Sequence, residues 1–168
     1  LLRADMRFKD LDEVRAYPVG NGLRISDVAT VERLHVECLM AVDAEPLATA
    51  ELAGLRDLRL KLHPAVRFNW LLTPAMSIWL AHQQTVPSEI APEWKSEGAL
   101  FARPSPFTVH SPRIGASAHR ILSGIRLGER VGQSMAAAAR LYPDTDPEAV
   151  FASLLHMGVF AAPSTERP

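Results

Sequence analysis

Thirteen prolines divide this chain into short pieces and limit how far most of its helices and strands can run. A proline inside a helix removes a backbone hydrogen bond and clashes with the preceding turn. Elements therefore stop before one or start on it. Pro18, Gly20, Asn21 and Gly22 make a turn-rich opening stretch. Ser26 or Asp27 then reads as an N-cap for a helix over 27–43, with Val28, Val31, Leu34, Cys38, Leu39 and Val42 at helical spacing. Pro46 ends that region, and Thr49 to Leu55 reads as a short helical piece closed by Gly54. Leu58, Leu60 and Leu62 alternate with Arg59 and Lys61, which predicts a half-buried strand over 58–63. Thr73-Pro74 reads as an N-cap followed by proline at the first helical position, for a helix reaching Gln83 or Gln84. Residues 85–97 read as a loop that Trp94 pins down.

The second half is cut in the same way. Ala99 to Arg103 and Phe107 to His110 are two short strand candidates around Pro104-Ser105-Pro106, and the prolines suggest edge positions for both. Three helices follow. The first starts near Ala116, the second covers Val131 to Leu141, and the third has Asp146 as N-cap and Pro147 at its first position. Gly158 suits the C-terminal cap of the third, and Val159-Phe160 can pack back on the core.

The length of 168 residues, with 48% apolar and 22% charged, supports a folded core. A net charge of -1 argues against nucleic-acid binding through bulk charge. One cysteine, Cys38, excludes a disulfide framework and any multi-cysteine zinc site. No apolar run reaches the roughly 18 residues of a membrane span, and the start of the chain has no apolar signal-peptide core, so a soluble cytoplasmic protein is expected. The charge is uneven. Eleven acids lie in residues 1–60, whereas residues 98–140 hold six arginines against the single acid Glu129. That basic stretch is either a solvated face or a dock for an acidic partner.

The catalytic inventory is thin. None of the six histidines (His35, His63, His82, His110, His119, His156) forms a close metal-ligand pair, and His35-x-x-Cys38 lies on an apolar helix stripe. There is no nucleophile elbow, P-loop or dinucleotide glycine motif. The last helix has no Lys or Arg, so it is a poor reader of a DNA groove. An exposed strand beside an apolar helix has another use, which is to accept a peptide as an added strand. Phe107 to Ser111 is the candidate edge.

Three segments in order carry a resemblance: AVDAEPL at Ala41 to Leu47, LHPAVR at Leu62 to Arg67, and the run from LSGIRLGE to DPEAVFASLLHMGVF at Leu122 to Phe160. Over about residues 25–162 the chain resembles the HvfC/BufC-type partner proteins of multinuclear non-heme iron-dependent oxidative enzymes. The resemblance implies an α+β protein whose C-terminal module looks like a RiPP recognition element, a winged-helix fold that binds precursor-peptide leaders. It implies a non-catalytic subunit with no cofactor of its own. The iron sits in a partner TIM-barrel enzyme, to which this chain presents the cysteine-containing core of the peptide. The peptide-binding residues it implies are Phe107, Thr108, Val109, His110, Arg113, Val150, Phe151 and Leu155. For the enzyme interface it suggests Trp94, Arg103, Arg120 and Arg126.

The expected organisation is an extension over 1–24, a helical part with one sheet strand over 25–97, a winged-helix-like module over 98–162 and a tail over 163–168. The alternatives are a winged-helix DNA-binding regulator and a small enzyme using His110 or His119.

Overall fold

The computed structural model describes residues 24–47, 54–84 and 92–162. The expected extension, the tail from residue 163, and most of the helical piece at 49–55 and of the loop at 85–97 lie outside them. In chain order the elements are α1 (Ile25–Leu39), a 3-10 turn (Leu55–Asp57), β1 (Val66–Leu71), α2 (Ala75–His82), β2 (Glu97–Ser105), β3 (Thr108–His110), β4 (Arg113–Ile114), α3 (Ala116–Arg126), α4 (Val131–Leu141) and α5 (Pro147–His156). It is a mixed fold of helices around a small antiparallel sheet.

β2 is the centre of that sheet. One side pairs with β1, from Val66 opposite Ala102 to Leu71 opposite Glu97. The other side pairs with β3 at Ala102–His110 and Ser105–Thr108, and then with β4 at Gly98–Ile114 and Ala99–Arg113. Leu100 N–H donates to Pro112 O at 3.2 Å between them, so β3 and β4 act as one interrupted strand. This corrects the edge position expected for β2. Pro104 lies beyond the last residue paired with β1, and Pro106 sits in the hairpin turn, so neither removes a ladder bond from the strand's middle.

Both faces of β2 are covered. Leu100 and Ala102 join Val66, Phe68 and the inner sides of α3, α4 and α5 in one core. Ala99 and Phe101 join Leu71 and the inner sides of α1 and α2 in a second. A strand buried on both faces needs a continuous apolar run, and Gly98-Ala99-Leu100-Phe101-Ala102 supplies it. Burial of a side chain such as Phe101, fully enclosed here, contributes about 1.5–3 kcal/mol.

The alternating segment 58–63 is not a strand of this sheet. Leu60 is buried and Leu62 half-buried, but Leu62 pairs only as an isolated bridge with Phe160. His63 N–H donates to Val159 O at 2.8 Å, and Ala161 N–H to Lys61 O at 3.0 Å. Residues 159–162 also bond to 45–47 on their other side, through Leu47 N–H to Phe160 O and Ala162 N–H to Glu45 O. The alternation thus marks a strap lying against residues 159–161. The sheet strand starts after the Pro64 turn, at Val66. Val159 and Phe160 pack back as expected, and both are fully buried. The turn into them needs a left-handed residue, and Gly158 takes it at φ 67°.

The helices of the second half match their expected positions, and Asp146 caps α5 by accepting from Glu148 N–H at 2.9 Å. The N-cap expectations at α1 and α2 need correction. Arg24 precedes α1, and Asp27 reaches across to α2 instead. Its Oδ2 accepts from Leu72 N–H, Thr73 N–H and Thr73 Oγ1 at 3.1, 2.9 and 2.7 Å. Glu97, buried at the start of β2, accepts from Ser77 N–H at 2.7 Å and Ser77 Oγ at 2.6 Å. Two carboxylates from distant elements thus satisfy donors that a local cap would serve.

The other end of β2 does the same for α1. Arg103 is only 6% exposed. Its Nε donates to Cys38 O at 3.2 Å, and its Nη atoms bond to Ala41 O and to Asp43. It neutralises the carbonyl end of the helix. Arg103→Met should therefore lose about 1–3 kcal/mol, the range for stranding buried partners. Urea unfolding measures this, with the exposed Arg140→Gln as a near-neutral control.

Candidate peptide-binding edge

The β2–β3 hairpin carries the candidate site. Pro104 and Pro106 stiffen its approach, and Phe107 at its tip is 99% exposed. Thr108 and Val109 are exposed and His110 is half-buried. Among the described residues no strand pairs with the outer edge of β3 and β4. The register sets the two faces of that edge. His110 lies opposite Ala102 and shares its side of the sheet, toward α3–α5. Val109 therefore lies on the α1 side, as Arg103 does. Arg103 also holds the end of α1 there, and Met40 and Val42 just beyond that end are 80% and 70% exposed. On the edge itself the apolar side chains left exposed are Phe107 and Val109. Arg113, in β4, is exposed, with Nη1 3.0 Å from Ser77 Oγ and 3.9 Å from Glu97.

The expected apolar wall on α5 is absent from the surface. Phe151 stacks on Phe160 with ring centroids 5.0 Å apart, and Leu155 is buried in the same core. Val150 is half-buried against it. Helical spacing marks an apolar face but not whether its partner is the core or a ligand. Here the core takes it. What α5 exposes is Glu148, ion-paired with Arg56, and then Ala149, Ala152, Ser153 and His156.

The four expected interface residues do not share one face. Trp94 is half-buried ahead of β2. Arg103 is buried toward α1. Arg120 pairs with Glu129 at 2.8 Å, and the Arg126 guanidinium lies 4.5 Å above the Phe68 ring, on the opposite side of the sheet. The basic character read from residues 98–140 is thus partly spent inside the fold.

The histidines divide between packing and exposure. His63 is buried; its Nδ1 accepts from Ala65 N–H at 3.2 Å, so its Nε2 donates to Ala44 O at 2.9 Å. His35 packs on Trp79 and Phe101, with centroids 5.1 and 5.4 Å away. Cys38 donates to Ala65 O at 3.0 Å, and burial pushes its thiol above the usual range. His35 and Cys38 therefore serve separate contacts rather than one ligand pair. His119 lies against Phe68 and Trp70 at 5.4 and 5.6 Å. Among the described residues no three of His, Cys, Asp and Glu converge on a point that could hold a metal ion. No described helix is long and apolar enough to cross a membrane.

Sequence reading missed a cleft between α3 and α4. It is lined by Arg120, Glu129, Gln133, Ala136, Ala137 and Arg140. Gly124 is the legible signal for it. A Cβ there would lie 2.3–2.5 Å from Glu129 Oε2, Ser134 Oγ and Arg120 Nη1. The glycine therefore lets one polar network form against the helix backbone.

Comparison with family models, curated proteins and solved structures returns no match to this chain.

Burial holds the pKa of both His35 and His119 below the ordinary 6.5; Arg126 adds to this at His119, and Glu32 opposes it at His35. Protonation thus favours the unfolded chain. The contribution is complete above pH 6.5 and is lost as the pH falls from there through the folded-state values. Stability followed by urea unfolding should be flat just above neutrality, below the range where the unfolded Cys38 thiol ionises, and fall on acidification below 6.5. His119→Gln should make that fall shallower. An unchanged slope would remove His119 from the account.

Proposed function

We propose that this protein is a non-catalytic partner subunit that captures the leader of a ribosomal precursor peptide and presents its cysteine-containing core to a multinuclear iron oxidative enzyme in the cytoplasm. The observation that carries this is the open outer edge of β3 and β4, running from a fully exposed Phe107. An added strand would bond to main-chain groups there, and Val109 with its apolar neighbours would select its side chains. In this reading the sheet and α3–α5 form a winged-helix-like module, with β2–β3 as the wing. The order of a hairpin followed by three short helices supports it. So does the resemblance read from the sequence. The peptide-facing set is then Phe107, Thr108, Val109, His110 and Arg113, without the buried α5 residues.

DNA binding fits less well. The helix a winged-helix protein would put into the groove has no Lys or Arg and begins beside Glu148.

The test is co-expression with an iron enzyme and a precursor peptide encoded in the same gene neighbourhood, reading complex formation and peptide modification. Modification should require this chain. Val109→Pro removes a backbone donor at the edge and leaves both cores intact. It should weaken peptide capture about tenfold or more, a loss on the scale of a missing charge-independent main-chain bond and its neighbours. Phe107→Ala should weaken capture without lowering thermal stability. Wild-type capture by both variants, or modification that proceeds without this chain, overturns the proposal.

A further inference from the structure

We propose that the cleft between α3 and α4 binds a carboxylate, the acidic side chain of a peptide ligand, at a site separate from the β3 edge. The cleft has a volume of 370 Å³. One wall is a closed ion pair. Arg120 Nη2 donates to both Glu129 oxygens, at 2.8 and 3.1 Å, and Ser134 Oγ donates to Oε2 at 2.9 Å. These donors hold Glu129 ionised, below the usual carboxylate range. Arg120 is thereby neutralised within the cleft.

The other wall has donors to spare. Gln133 and Arg140 lie seven residues apart on α4, so they share one side of the helix about 10 Å apart. Gln133 Oε1 accepts from Arg130 N–H at 3.0 Å, at the start of α4. That bond fixes the amide, so its NH₂ group is turned away from the cap and is free to donate. Arg140 is exposed and has no hydrogen-bond or ion-pair partner among the described residues. Between them, Ala136 and Ala137 give a low apolar floor over which a ligand's methylene groups can lie. A guanidinium and an amide donor at the ends of a small apolar floor match a carboxylate on a short alkyl stem.

Charge selects carboxylate over phosphate. With Arg120 spent on Glu129, the cleft carries about one uncompensated positive charge, from Arg140. A monoanion balances it. A dianion would also meet Glu129 across the same opening.

The test uses the full chain, isotopically labelled for NMR, and N-acetyl-Ala-Glu-Ala-amide as the probe. The Gln133 side-chain amide and the Arg140 Nε–H should shift and saturate with this peptide. N-acetyl-Ala-Gln-Ala-amide should not move them. Arg140→Gln touches no internal contact, and should weaken binding about tenfold, the effect of losing one charge-assisted hydrogen-bonding fork. Arg140→Lys should recover part of it. Equal shifts from the glutamine peptide, unchanged binding by Arg140→Gln, absence of saturation, or tighter binding of inorganic phosphate each overturns the assignment.

Discussion

Everything in this fold is hung from β2, a strand buried on both faces. Its odd residues, Ala99 and Phe101, help close the core beneath α1 and α2. Its even residues, Leu100 and Ala102, help close the core beneath α3, α4 and α5. A strand in that position has no room for polar side chains except at its ends, and it uses both ends. Glu97 supplies acceptors to the start of α2, and Arg103 supplies donors to the end of α1. Each charge is buried only because backbone groups that need a partner surround it. The two helices of the first layer are thus positioned by the strand at the centre of the second.

That arrangement also decides what is left at the surface. β1 covers one side of β2 over six register positions, while the other side is covered by two short pieces separated at Pro112. The outer edge of those pieces faces away from both cores. The hairpin that leads into it ends in a phenylalanine that no core claims. Among the described residues an apolar side chain and an unpaired strand edge thus lie side by side, a pair that invites association. Peptide capture is one such association. The arginines divide along the same line: Arg103 and Arg120 are committed internally, while Arg113 at the edge and Arg140 at the α4 cleft are exposed.

The second half of the chain was legible where local chemistry decides the outcome. Asp146-Pro147, the glycine at 158 and the helical spacing of Val131, Met135 and Ala138 mark their helices without help from distant residues. The two strands around Pro104-Ser105-Pro106 were legible too, but the edge position those prolines suggest holds only for the second. Tertiary partners decided the rest. Leu58, Leu60 and Leu62 alternate as a strand does, yet Leu58 O accepts from Val131 N–H and only Lys61 to His63 pair with 159–161, which only the folded chain brings there. Asp27 looks like a cap for its own helix and serves another one 45 residues away. Phe151 and Leu155 have the spacing of an exposed wall or of a core face, and only the stacking partner Phe160 separates the two. Arg103 could have been read from its place directly after an apolar run, since a charge there must be paired. The α3–α4 cleft left one sign in the sequence, a glycine at 124 inside a helix, and only the close approach of Glu129, Ser134 and Arg120 shows why it is there.

The most direct test of the central claim is hydrogen exchange on this chain alone and in the presence of the precursor peptide proposed as its ligand. Strand addition predicts new protection at the amides of Val109, Ser111 and Arg113, which alternate with the residues bonded to β2 and face outward, with little change in α5. Protection confined to α5, or none along β3 and β4, would contradict the account.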